Sequence, residues 1–295
     1  MNLRSQSSEY CHPGRQFIQR YGVPTDRASV LRYPQFLRSA AGLTDEPPIH
    51  LLNIYRHFGM REPVRAPLED QQGILVDGDR GLILVKEDDA RARQRFTEGH
   101  ELMELLFDAI EEMGKLDRWS HDEKERLCDQ GAAELLMPRS RFIADLQAEG
   151  LSLRGGRSLS KLYQMSLIAT LVQMINHSSD SAALVLWHPA LRKQEQRTQP
   201  QMTADSDPPK WKLRVWWRRC TDNWTGGFIP PNKSAPSTSL ITQSHLSQQT
   251  KVGIEVLPLS KPPIQCRVEA LPIQTSGKSC VLTLLHSPES DLASR

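Results

Sequence analysis

The ten residues from Arg95 to Glu104 constrain this chain more tightly than any other stretch. They place His100, Glu101 and Glu104 on one helical segment. Side chains at i and i+4 leave a helix from the same face, one turn apart. His100 and Glu104 can therefore address one point in space, with Glu101 beside them. Such an imidazole and carboxylate can share a metal ion, and the intervening Glu101 is placed to act as a general base. The usual form of this device is H-E-x-x-H, and here Glu104 stands where the second His would be. Taken alone, the spacing is what an ordinary amphipathic surface helix shows. Glu101, Glu104, Asp108 and Glu111 recur at three- and four-residue intervals, and Leu102, Leu105, Leu106, Ala109 and Ile110 fill the other side.

The surrounding sequence adds what the spacing lacks. Glu125 to Pro138 reads as a second helix that stops near its proline. Within it Glu125 and Asp129 are four apart and share a face. A third ligand from a second helix would complete a site with one position left open for water, and Asp129 would hold the free N–H of a ligating His. Upstream, the stretch GILVDGDRGLILV (73–85) reads as two short strands about a Gly/Asp turn. Such a hairpin can offer an edge strand to an extended peptide.

Four segments in order carry a resemblance to the ImmA/IrrE-type zinc metallopeptidases. They are the hairpin, RQRFTEGHE, ERLCDQGAAELLMP, and the helix and strand of residues 163–189, together spanning roughly residues 45–190. The resemblance implies an α+β fold, with a zincin-like helical catalytic unit and a small β-sheet followed by a strand-rich C-terminal region. It implies that His100 and Glu125 are metal ligands, Glu101 the catalytic base and Asp129 the residue that orients His100. Glu104 takes the place of the second ligand His, and Gly131 that of an aromatic packing residue. Zn²⁺ is the implied cofactor, and a DNA-binding repressor the implied protein substrate.

The replacement at position 104 has a physical consequence. A His/His/Glu set carries one negative charge and a His/Glu/Glu set carries two. The bound water then feels less net positive charge, and preference moves toward harder ions such as Mn²⁺ or Fe²⁺. An active metallo-endopeptidase with an altered site is the expected function. The alternative is a catalytically impaired binding or regulatory module on the same fold.

Composition sets bounds on both readings. The 295 residues suffice for two domains. The net charge of +2 argues against a strong direct nucleic-acid or membrane surface. With no long apolar run, no signal-peptide pattern and five scattered cysteines, the expected location is the cytoplasm.

The expected organisation is an N-terminal extension (1–45), a metallopeptidase domain (46–191), a polar, Pro-bearing linker (192–209) and a strand-rich domain (210–295). Within these, a Gly-Gly turn at Gly155-Gly156 precedes one helix over 159–175. Leu213 to Trp217 reads as an alternating strand. Tryptophans among Arg214, Arg218 and Arg219 could stack nucleic-acid bases, but in a strand they fit packing better. His121, four residues before Glu125, is a further candidate for the missing imidazole. Cys128 is expected to face away from Glu125.

Overall fold

The computed structural model describes residues 9–191, 211–259, 262–275 and 277–287. The expected linker lies outside them. The chain forms two compact units: one of residues 1–145 and 159–167, the other of 146–158 and 168–295. With helices clustered in the first and a five-stranded sheet in the second, the fold is α+β. Among the described residues no helix is long and apolar enough to cross a membrane.

The first unit opens with helices α1 (Pro13–Tyr21), α2 (Arg27–Val30), α3 (Tyr33–Ala40) and α4 (Leu51–His57). A three-stranded sheet follows, in the order β1 (Val64–Ala66), β3 (Leu82–Lys86), β2 (Gly73–Asp77). β1 runs parallel to β3 and β2 antiparallel, so the expected hairpin is present and β2 is its edge strand. Its turn is held by Asp77, which accepts the Arg80 N–H at 3.1 Å, and by Gly81 at φ +58°.

The long helix α5 (Arg91–Glu112) carries His100, Glu101 and Glu104. It ends at Met113, where Gly114 takes φ +64°. α6 (His121–Leu136) starts at a reciprocal cap. The Ser120 hydroxyl accepts the Glu123 N–H at 3.3 Å and the Glu123 carboxylate accepts the Ser120 N–H at 3.0 Å. Pro138 lies just beyond its last turn.

α5 and α6 pack closely because glycine sits at both contact points. A Cβ on Gly99 would lie 3.4 Å from the Ala132 Cβ, and one on Gly131 would overlap the Met103 side chain. Met103, fully buried, fills the space where the resemblance places an aromatic ring. α1 presses on α5 just as closely, since a Cβ on Gly14 would stand 2.1 Å from the Leu105 carbonyl oxygen.

α7 (Arg139–Glu149), α8 (Leu153–Tyr163) and α9 (Leu167–His177) follow. Two expectations are corrected here. Gly155 and Gly156 do not form a turn but lie inside α8, where the Ser152 hydroxyl caps the helix by accepting the Gly155 N–H at 2.9 Å. The single helix expected over 159–175 is two, broken at Gln164, which adopts φ +54°.

In the second unit an antiparallel sheet runs in the order β5 (Lys212–Cys220), β4 (Ala182–Ala190), β8 (Lys278–His286), β7 (Ile264–Thr275), β6 (Lys251–Leu257). Its core includes Val185, Trp187, Val215, Val268 and Val281, joined by Ile241 of α10 (Leu240–Ser247). The alternation expected in β5 is corrected as well: Leu213, Arg214 and Val215 are buried in succession. The register shifts so that Leu186 pairs with Trp217 and Trp187 with Val215, which leaves Trp216 unpaired in a bulge. Trp216 is therefore exposed, against the His188 ring at 5.1 Å. Arg214 tolerates burial because its guanidinium donates to the carbonyls of Ala190 (3.2 Å) and Asn232 (3.1 Å).

The tight seat of α1 yields a stability prediction. Gly14→Ala puts a methyl group into α5 backbone that cannot move aside as a flexible side chain would. It should cost about 1–3 kcal/mol, the usual range for overpacking, seen as a lower midpoint in thermal denaturation. An unchanged midpoint would show that α1 does not sit on α5 this closely.

Candidate metal centre

Two stripes on α6 face α5. Glu125 and Asp129 form one, and Lys124 and Cys128 form the other, each an i, i+4 pair. His100 meets the first stripe. Its Nδ1 lies 3.0 Å from Asp129 Oδ1 and its Nε2 3.6 Å from Glu125 Oε2. Glu104 meets the second: its Oε2 takes an ion pair from Lys124 Nζ at 2.6 Å, and its Oε1 accepts the Cys128 S–H at 3.4 Å. The two α5 residues are themselves joined, His100 Nε2 to Glu104 Oε1, at 3.7 Å.

His100 Nε2 stands within reach of each carboxylate in turn, but Glu125 is not in the group of described residues whose potential ligand atoms all lie close to one another. Ligands of a tetrahedral zinc, each about 2.0–2.2 Å from the metal, stand about 3.3 Å apart. The separations of 3.6 and 3.7 Å from His100 Nε2 are close to that value. With Asp129 on Nδ1, the Nε2 atom is the one turned to the carboxylates. Among the described residues, the group whose potential ligand atoms all lie within 4.8 Å of one another is His100, Glu104 and Cys128. Burial, and then Glu104, drive the Cys128 thiol pKa far up, so it sits there as a hydrogen-bond donor.

Glu101 lines an adjoining cavity of about 280 Å³ together with Gln72, Gly73, Thr97, His100 and Glu125. β2 comes so near that a Cβ on Gly73 would lie 2.8 Å from Glu101 Oε1. The backbone of Leu75 hydrogen-bonds the carboxylate. Burial pushes the Glu101 pKa up to about 7; Glu104 and Glu125 add to the rise, and His100 partly opposes it. For His100 itself, burial works against protonation, but Asp129, Glu101 and Glu104 outweigh it and hold the pKa above the ordinary value.

The five residues singled out in the sequence thus fall on facing parts of α5 and α6. His121 does not join them: it is exposed in the first turn of α6 and lines no part of this cavity. Sequence reasoning missed Lys124 and the contact of Cys128 with Glu104. The four-residue spacing of Lys124 and Cys128 beside Glu125 and Asp129 was the available signal. Lys124 also changes the charge argument. Its ammonium offsets the extra carboxylate of Glu104, so the cluster of His100, Glu104, Glu125 and Lys124 carries one net negative charge, as a His/His/Glu set does.

Residues 60–174 match the family model described as the IrrE N-terminal-like domain, Peptidase_M78. This segment is therefore a domain of the metallopeptidase-like ImmA/IrrE type. The chain is also similar in fold to a Mycobacterium tuberculosis transcriptional regulator, with a TM-score of 0.56 and 14% identity over 94% of this chain and 80% of that one. At that identity the likeness is one of fold alone. No curated protein matches the sequence.

The shifted carboxyl has a consequence for stability. Unfolded, Glu101 titrates near 4.5; folded, at about 7. Between those values the native state keeps a proton that the unfolded state has lost. Stability of the metal-free protein should therefore fall as pH rises through this window, by on the order of 3 kcal/mol from this group. Glu101→Gln should remove that loss and make the protein more stable than wild type at pH above 7. Chemical denaturation at several pH values in the presence of a chelator measures it, and parallel curves for the two proteins would refute it.

Proposed function

We propose that this chain is a metal-dependent endopeptidase that cleaves a protein substrate, with a DNA-binding repressor the substrate class that the family resemblance suggests. The observation that carries the reading is the meeting of His100 Nε2 with Glu104 and Glu125 at 3.7 and 3.6 Å, beside a buried Glu101.

His100, Glu104 and Glu125 would hold a divalent ion, Zn²⁺ or the harder Mn²⁺ or Fe²⁺. When bound, such an ion would polarise a scissile carbonyl and acidify a water. Asp129 fixes the ring of His100. Glu101 would take the proton of the attacking water and return it to the leaving amine. The edge strand β2 would align an extended peptide across the cavity, with Gly73 leaving room at the closest approach.

A second reading has its own observation. Lys124 already supplies a cation to Glu104, and Cys128 a hydrogen bond. A site satisfied in this way could bind a protein partner without hydrolysis. Elemental analysis separates the two readings: the peptidase holds a stoichiometric divalent ion at neutral pH, and the binding module does not.

For the peptidase, Glu101→Gln should abolish cleavage of a repressor substrate and leave metal content intact. Retained cleavage would overturn the role of Glu101.

Lys124 gives a second test. In Glu104→His its ammonium loses its carboxylate partner and faces the ion site as an uncompensated charge. Zinc should bind more tightly to Glu104→His/Lys124→Met than to Glu104→His alone, by about tenfold or more in calorimetric titration. Equal affinities would show that Lys124 does not act on the ion.

A further inference from the structure

A second cavity of the first unit, about 210 Å³, opens beside the N-terminal turns of α5. Arg65, Arg91 and Arg95 line it with Glu62 and Glu98, so three guanidinium groups face two carboxylates. Glu98 is already saturated. Its Oε1 accepts Arg65 Nη2 at 2.7 Å and lies 3.9 Å from Arg91, and its Oε2 accepts the Tyr55 hydroxyl at 3.3 Å. Glu62 makes no ion pair among the described residues and is exposed. Positive charge therefore exceeds what the protein neutralises.

Arg95 is the sharper anomaly. Only 9% of it is exposed, and one of its amino groups donates to the Ile49 carbonyl. Its Nε is shielded from solvent and has no acceptor. A buried N–H left unpaired on a charged group is costly, and folded proteins rarely leave one without a use. The α5 N-terminus adds to the excess: Ala90 at its cap has no side chain to satisfy the first amides, and the helix dipole is positive there.

We propose that this cavity is a binding site for a compact oxyanion, a phosphate or carboxylate group, gripped by Arg91 and Arg95. The planar fork of arginine matches both groups, and two arginines one helical turn apart place two forks on one face. The cavity holds a head group and a few further atoms, which points to a small organic anion or the charged end of a larger one. Arg91, most of whose side chain is in solvent, is free to close on the ligand. This site is separate from the metal centre, since the two cavities share no lining residue.

The test is a titration of the full-length protein with inorganic phosphate and, separately, with succinate, followed by thermal shift and calorimetry at constant ionic strength, with chloride as the control. At least one anion should raise the melting temperature saturably, as binding to the native state alone requires. Phosphate alone would assign a phosphate ligand, and succinate alone a carboxylate. Arg91→Gln alters an exposed guanidinium, so the fold should survive, and affinity should drop about tenfold or more. Arg95→Lys keeps the charge but loses the fork and should weaken binding in the same way. His100→Ala should leave it unchanged, which places the anion away from the metal centre. No saturable response to either anion beyond chloride would overturn the proposal, as would full affinity in both arginine variants or loss of binding in His100→Ala.

Discussion

The close packing of α5 on α6 is the contact on which the centre depends. Gly99 lets the Ala132 methyl group come up against α5, and Gly131 leaves α6 open to the Met103 side chain. A Cβ at Gly131 would meet the flexible end of Met103, which must then move aside, and one at Gly99 would stand 3.4 Å from the Ala132 Cβ, so added bulk is felt where the helices touch. The cross-helix pairs of the centre all span this contact: His100 with Asp129 and Glu125, Glu104 with Lys124 and Cys128. The buried apolar layer of Leu102, Leu105, Leu106, Leu135 and Leu136 supplies the adhesion, and the glycines set the distance.

That adhesion also bears an opposing cost. Glu101 is nearly buried, with Glu104 and Glu125 near enough to raise its pKa. Concentrated negative charge in a part-buried site opposes folding, and proteins keep such arrangements mainly where function needs them. Two devices moderate it here. Asp129 draws charge onto the far nitrogen of His100, and Lys124 neutralises Glu104 at 2.6 Å. The remaining deficit rests on Glu101, whose carboxyl is buried and raised in pKa.

Much of this was legible in the sequence. The hairpin, α5 and most of α6 follow from local signals: a Gly/Asp turn, apolar periodicity and a terminal proline; the Ser120/Glu123 cap that starts α6 at His121 was not read. The facing of His100, Glu101, Glu104, Glu125 and Asp129 follows from four-residue spacing on two helices, together with the family likeness. What was misread depended on contacts remote in sequence or on a single backbone angle. Gly155 and Gly156 look like a turn, but the Ser152 cap makes them helical. Gln164 looks helical, but its positive φ ends α8. The bulge that places Trp216 in solvent arises from pairing with β4, and no local pattern announces it. Cys128 does lie off the Glu125 stripe, but its partner was not read from the spacing. It faces Glu104, on the neighbouring stripe.

The same lesson bears on Glu104. Judged by the H-E-x-x-H pattern alone, it is a defect, a carboxylate where an imidazole belongs. Judged with Lys124, it is half of a pair. An imidazole at 104 would bring a neutral side chain within reach of an ammonium that, among the described residues, has no other carboxylate so close, and that ammonium would repel a bound ion. A carboxylate at 104 accepts the ammonium on Oε2 and leaves Oε1 turned toward His100. The two positions are twenty residues apart on different helices, so no motif can register them together. The carboxylate at 104 and the cation at 124 form one unit, and the charge that reaches the centre is that of the pair.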